Sequence, residues 1–360
     1  MKLMKKTTST LFCALILMSS FLTINAQDDV QRVTIRSVGD ILVHDTVFND
    51  AWNGEAYDFT KQFEAVKPYM ENADITTANL EVIAAGELTG PLTYPSFSSP
   101  PEIIDALKDA GVDIVTNATN HTLDHGAAGA HESIDQLQAR DMMYVGSYES
   151  WDDYNDLRII EKNGLKVGFL SYSYGANGNP IPSDEPYLLT LIDPELIRLE
   201  TELLASQTDV AVVNVHVGEE YELYPNEYQR EIVNIIRDAG ANMYLGGHPH
   251  VLQPLDYFSP GQGAIYSHGN FLHGQAQLET KISGIFEYTF AKHPGSDDVV
   301  LEKMRMMPTY TYGYPEHVEH GVVPLADAGE YGIDSDSIFA ELRERLTYYT
   351  NHVEIVEYLD

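Results

Sequence analysis

The sequence predicts an α/β fold, a largely buried sheet covered by helices, on three observations. Apolar, β-branched runs recur along the chain from Val33 onward. Segments of helical period, about ten to fifteen residues each, separate them. A polar residue closes run after run, at the place where the carboxyl ends of strands gather functional groups in such sheets.

VTIRSVG reads as the first strand. DFTKQFEAVKPYMEN has helical period and stops at Asn72, and DITTANLE is strand-like and ends in an acid. PPEIIDALKDAG opens on proline, spaces its apolar residues as a helix does and closes on Gly111. VDIVTNATN is β-branched and runs into a polar loop. GAAGAHESIDQLQARD is the next helix, followed by MMYVG and by the strand LKVGFLSYSYG from Leu165. DPELIRLETELLASQTD is another helix. VAVVNVHVG is the most continuous apolar run after the leader, and a buried strand fits it. NEYQREIVNIIRDAG is helical and ANMYLGG a short strand. From about residue 251 the character changes: QPLDYF, GAIYSHGNFLHG, GIFEYTFAKHP and VVLEKMRMMPTYTY alternate more strictly and carry many aromatics, which reads as antiparallel strands. SIFAELRERLTYYTN is a late helix expected to pack on the outside. The tyrosines of TYTYGYP suit sheet packing better than polymer binding.

Ahead of the first strand, Lys2, Lys5 and Lys6 precede an apolar run from Leu11 to about Ile24 that ends in small residues near Ala26. Residues 1–26 therefore read as an export signal, cleaved after Ala26 or retained as a membrane anchor, and 27–360 as a single domain. An extracellular or cell-surface location follows from that reading. Cys13, the one cysteine of the sequence, falls inside the leader, so any metal in the exported part is held by nitrogen and oxygen. Lys and Arg number 21 against 55 acids, a formal charge of −34, and the leader holds three lysines and no acid. Such a surface disfavours nucleic acid and anionic lipid as partners. A phosphate ester stays open as substrate, because divalent cations reverse the potential inside a site.

The strand ends supply Asp40, Glu81, Asn120 with His121, His216, and His248 with His250. Singly, each has a plain alternative: Asp40 as a turn former, Glu81 as a solvated acid, Asn120 and His121 as loop residues satisfying backbone. His44 is weaker still. Asn79 and Glu81 alternate on one strand and so point into one crevice. His216 lies inside an apolar run, where a neutral imidazole still has two nitrogens to satisfy. His248 and His250 face the same way on an extended segment. Together these carboxylates, amide and histidines form a sulfur-free donor set suited to one or two divalent ions of Mn, Zn or Fe. Two such ions need an anionic bridge, and a pair of them activates water and neutralises the oxygens of a phosphoester.

VGDILVHD, TTANLE, ATNHTLDHG, VNVHVGEEYELYPNEYQREIVNIIRDAGANMYLGGHPHVLQP and IYSHGNF resemble the bacterial capsule synthesis protein family, the CapA proteins of poly-gamma-glutamate capsules, over roughly residues 33–271. The resemblance implies a calcineurin-like metallophosphoesterase fold: a β-sandwich core flanked by helices in four layers, α-β-β-α, with a dinuclear metal site at one edge. On that pattern Asp40 holds the first ion with His250, Glu81 bridges, and Asn120, His216 and His248 hold the second, with His121 as the nearby acid. The histidine usual two residues after the aspartate is Leu42 here, so the first ion is short of one imidazole unless His44 turns in. Thr119 and His268 also depart from the family pattern. His268 and Asn270 are expected to line the substrate side, and Glu219, Glu220 and Tyr221 to orient His216, an exposed acidic loop being the alternative for those three.

Three functions fit. The first is an exported metal-dependent hydrolase of phosphoester or related ester or amide bonds. The second is a non-hydrolytic factor for synthesis, export or attachment of an anionic cell-surface polymer such as poly-gamma-glutamate, working with membrane proteins of a capsule system. The third is a structural or binding module with a vestigial site, against which every ligand expected for the second ion is present.

Overall fold

In the computed structural model, which describes residues 30–360, the strands form two sheets, and the chain builds half of the first, then all of the second, and then returns. The expected export signal, with Cys13, lies outside the described residues. β1 (Gln31–Leu42), β2 (Ile75–Leu80), β3 (Ile114–Thr116) and β4 (Met143–Val145) run parallel side by side. The second sheet takes β5 (Arg158–Lys162), β6 (Leu165–Ser173), β7 (Val210–His216), β8 (Met243–Gly247), β9 (Leu255–Ser259) and β10 (Gln262–Ile265) in the order β5-β6-β7-β8-β10-β9. The chain then re-enters the first sheet with β11 (Asn270–His273) and β12 (Ile282–Lys292). β13 (Val299–Tyr312), β14 (Gly321–Pro324) and the short β15 (Glu354–Ile355) complete it. β1 ends up in the interior, antiparallel to β12 from Gln31 to Val38 and parallel to β2 and, at its end, to β11.

Alternation along β7 shows how the layers are made. Val210 and Val212 belong to the core that the two sheets share, whereas Ala211, Val213 and Val215 pack against Ile197 and Leu204 of helix Pro194–Gln207 and Ile232, Val233 and Ile236 of helix Glu227–Asp238. Asn214 and His216 continue the even-numbered, inter-sheet set. The helix at 227–238 starts where Asn226 and Gln229 form a reciprocal capping box, and each of its buried aliphatic side chains contributes about 2 kcal/mol. Helices Glu102–Asp109 and Gly126–Ala139 send Ile103, Ile104, Leu107, Ile134 and Leu137 into the first sheet's core. Helix Ser335–Leu346 adds Phe339, Leu342 and Leu346.

Three details differ from the sequence expectation. The single helix expected up to Asn72 is two short ones, Thr60–Phe63 and Lys67–Glu71, the second opening at Pro68 where proline cannot donate to a continuing ladder. The β-branched run after Asp113 is a strand only over Ile114–Thr116 before it turns into the loop with Asn120 and His121. The β5–β6 hairpin, turned at Asn163 and Gly164, supplies an edge strand that periodicity alone did not separate from β6. In the tyrosine-rich tail Tyr310 is buried and Tyr312 stacks on Tyr331 at 4.4 Å.

Candidate metal centre

The carboxyl ends of β1, β2, β3, β7 and β8 meet at one edge of the sandwich. At the end of β1 the register shifts between Val38 and Asp40, a bulge centred on Gly39 that turns Asp40 inward. Only glycine fits there: a Cβ on Gly39 would lie 1.9 Å from the Gly269 carbonyl oxygen. The pair Gly246–Gly247 ahead of His248 has the same origin. A Cβ on Gly246 would meet the Tyr266 carbonyl at 1.9 Å. One on Gly247 would sit 2.8 Å from Asp40 Oδ1 and 3.0 Å from His216 Nδ1, inside the centre itself. His248 and His250 both adopt positive φ, 93° and 61°, a conformation that non-glycine residues hold mainly where surrounding structure over-determines it.

Asp40, Glu81, His216, His248 and His250 are all buried. Their ligand atoms form two groups, Asp40–Glu81–His250 and Glu81–His216–His248, each with its atoms within 4.8 Å of one another, and Glu81 belongs to both. His216 Nε2 faces Glu81 Oε1 at 3.4 Å and Asn120 Oδ1 at 2.8 Å. His250 Nδ1 lies 3.7 Å from Asp40 Oδ2, 3.8 Å from Glu81 Oε2 and 2.8 Å from Asn270 Oδ1. Asn79 Nδ2 donates to Asp40 Oδ1 at 2.7 Å, and its own oxygen accepts from Thr116 Oγ1 at 2.8 Å.

Two features fit this set to a metal. Both carboxylate oxygens of Glu81 and Nδ1 of His248 are buried without a hydrogen-bond partner, a costly arrangement unless a cation takes up the lone pairs. The donors are also imidazole nitrogen and carboxylate oxygen with an amide oxygen alongside, which borderline divalent ions accept. Electrostatics point the same way. Burial, with the neighbouring Glu81 charge, pushes the Asp40 carboxyl up to about 6. Burial opposes ionisation of Glu81 too, but His250 and His216 outweigh it and hold its carboxyl well below the usual range. His248 is driven the other way, down to about 2, by burial and by the flanking His216 and His250, which keeps its ring neutral.

His121 stands beside this cluster, its Nδ1 2.7 Å from Asp124 Oδ2; the same oxygen accepts from the Phe97 amide at 2.7 Å, and the Phe97 ring meets the imidazole edge-on at 4.8 Å. The Asp124 partnership is a missed residue with a visible signal, the i+3 acid of HTLD. Tyr174 and Asn177, beyond the end of β6, were missed as well: the Tyr174 ring lies 4.6 Å from that of His248, and Asn177 Oδ1 accepts from Asn120 Nδ2 at 3.2 Å. The strand-end rule applied to SYSYG would have found Tyr174, the first residue after β6.

Other expected residues fall elsewhere. His268 does not line a substrate side: it is buried, its Nε2 2.7 Å from Ser37 Oγ and its Nδ1 2.8 Å from the Gly246 carbonyl, so both nitrogens are spent inside the core. Asn270 holds His250 and bonds Gln275. Leu42 is buried core, and His44 joins no donor group among the described residues; its Nδ1 is 2.9 Å from the Leu42 carbonyl and 3.1 Å from the Gly274 amide. The GEEY loop lies beside His248 and His250. Glu219 is exposed, Glu220 groups with His248 and His250, and the Tyr221 ring lies 6.0 Å from that of His250.

The architecture places the chain in a class. The crystal structure named "Putative 5'-Nucleotidase from Staphylococcus aureus in complex with alpha-ketoglutarate" superposes with a TM-score of 0.52 at 13% identity, over 87% of this chain and 58% of the other. The fold is mixed α/β, its sheets flanked by helices, and is similar to metallophosphoesterase-like folds. Residues 34–275 match the model of the family described as bacterial capsule synthesis protein PGA_cap, and the chain belongs to that family. It is 30% identical over 269 residues to the capsule biosynthesis protein CapA of Bacillus anthracis, covering 72% of this chain and 64% of that one. It is 27% identical over 243 residues to the PGA biosynthesis protein CapA of Bacillus subtilis (strain 168), covering 64% and 61%. The aligned part thus spans just under two thirds of the length of either relative.

Proposed function

We propose that this chain is an exported, divalent-metal-dependent hydrolase of a phosphoester or a related ester or amide bond, acting on or around an anionic cell-surface polymer. The observation that carries the reading is the buried, unpartnered carboxylate of Glu81, shared by two histidine-containing donor groups. Asp40, Glu81 and His250 would hold one ion, and Glu81, Asn120, His216 and His248 the other, with Mn, Zn and Fe as the ions suited to such donors. When bound, such ions neutralise phosphoryl oxygens and polarise the bond to be broken.

The chain's own residues do the rest. Asn79 and Asn270 fix the directions of Asp40 and His250 through bonds of 2.7 and 2.8 Å. Walls of buried side chains keep bulk water from the carboxylates, which strengthens their hold on cations. His121, with Nδ1 held by Asp124, presents Nε2 as the group that passes a proton to the departing oxygen.

The test is a pair of measurements on purified protein. Elemental analysis is expected to find one or two divalent ions, and His121→Gln to keep them while turnover of an activated aryl phosphate falls about 100-fold or more. Loss of metal in His121→Gln would reassign that residue as a ligand. Metal in the wild type with no turnover on ester or amide substrates would favour the second reading, a non-hydrolytic role in synthesis, export or attachment of poly-gamma-glutamate or a similar polymer with membrane proteins of a capsule system. That second reading draws on the relatives, whose names are those of biosynthesis proteins. Location outside the cytoplasm belongs to the proposal in either case.

A further inference from the structure

The loop that leaves β7 carries a carboxylate that the family pattern did not assign to the centre. Glu220 places an oxygen within 4.8 Å of a ring nitrogen of His248 and of His250, a third donor group that shares one histidine with each of the other two. Its neighbour Glu219 belongs to no such group among the described residues.

An exposed acid beside histidines is ordinary when its loop is free to move. This loop is tied on both sides of Glu220 to the turn that carries the histidines. Before it, the Val217 amide donates to the Gly247 carbonyl at 3.1 Å. Just after it, the Tyr221 amide donates to the Pro249 carbonyl at 2.8 Å, and Gln253 Nε2 donates to the Glu222 carbonyl at 2.8 Å. Tyr221 pays for its place with a φ of 68°, a left-handed conformation unusual for an aromatic residue. The backbone therefore holds Glu220 in register with His248 and His250. Nδ1 of His248, one of the two histidines in this group, is buried and has no hydrogen-bond partner. There is also a deficit to make up. Leu42 is buried core, and His44 joins no donor group among the described residues, so the end of the first strand offers the centre Asp40 alone.

We propose that Glu220 is a direct ligand of the metal centre, supplying from the solvent side the donor that the first strand lacks. The proposal rests on the reading of Asp40, Glu81 and the three histidines as a metal site. Glu220 then closes the exposed face of the centre and adds a negative charge there, which weakens binding of highly charged anions and leaves room for singly charged or neutral groups.

The two readings separate in one titration series. The exported part of the chain is stripped with a chelator, dialysed, and titrated calorimetrically with Mn²⁺ and with Zn²⁺, as wild type, Glu220→Gln and Glu219→Gln. Glu220→Gln is expected to weaken at least one ion by about tenfold or more, as for residues that support a metal centre, with Glu219→Gln matching wild type. Equal thermal midpoints of the stripped proteins will show that the exposed substitutions leave the fold intact. Wild-type affinities in Glu220→Gln would overturn this proposal and leave the metal reading standing. No binding of either ion by wild type would overturn both.

Discussion

Two buried histidines show how much one residue's surroundings decide. His268 and His248 are both enclosed, but His268 has a partner at each nitrogen and His248 leaves Nδ1 bare. The first is a core residue by its bonds, and the second is a candidate ligand because one nitrogen has none. Burial lowers the His268 pKa to about 4. Its unfolded value is higher, so the unfolded chain takes up a proton first as the pH falls, and stability drops between about 6.5 and 4. The slope from this group is about 1.4 kcal/mol per pH unit, and urea unfolding of His268→Asn is expected to fall less steeply over that window than wild type. An equal slope in the variant would assign the acid sensitivity to other groups. From the sequence, His268 and Asn270 are expected together on the substrate side. Gly269, with φ of 68°, breaks the alternation between them, so one enters the core and the other reaches His250. Positive φ at glycine is a permission that sequence shows, but whether it is used is settled by packing.

At the scale of elements, much of the site was legible because chemistry sits at strand ends and strand ends are marked by the change from apolar to polar. Asp40 and His216 lie near or at the carboxyl ends of β1 and β7, Glu81 and His248 with His250 just follow β2 and β8, and the structure brings them together. Less legible were contacts made between loops. The GEEY loop belongs with the turn after β8, which is a matter of three-dimensional neighbours and not of spacing. The glycines ahead of the ligands are explained by contact too. Gly39→Ala would force a Cβ into the Gly269 carbonyl, and destabilisation of roughly 3 kcal/mol or more, or failure to fold, is expected in denaturant titration. Gly247→Ala crowds Asp40 and His216 instead, and its expected signature is a lower metal affinity with a smaller change in stability. Tolerance of alanine at Gly39 would mean that the bulge relaxes and that Asp40 does not depend on it.

Across the molecule, the candidate ligands come from both sheets: Asp40, Glu81 and Asn120 from the first, His216, His248 and His250 from the second. A bound ion would join the two layers at their rim, so a chelator is expected to lower the thermal midpoint and added Mn²⁺ or Zn²⁺ to restore it. At a free ion concentration 100 times Kd the gain is about 2.7 kcal/mol, readable by scanning calorimetry. In Glu220→Gln, stepwise chelation is expected to remove the ion at Asp40 and His250 first, since neither Leu42 nor the new amide then supplies a charged donor. The two-layer core was legible from resemblance more than from periodicity, because alternating helices and buried strands describe one sheet as well as two. What separates them is the return of the chain to β1 through β11 and β12, a pairing over long distance that no local pattern encodes.

That return has a consequence for how the protein comes into being. Gln31 pairs with Lys292 and Val38 with Ile285, so the central strand finds one of its two long neighbours only after nearly the whole chain exists. Contacts this remote make folding slow, and until β12 arrives one edge of β1 is an open template for strands of other molecules. The family match ends at residue 275, short of β12 at Ile282. A chain cut to the matched span would keep every candidate ligand from Asp40 to His250 and still lack the strand that closes the sheet behind them.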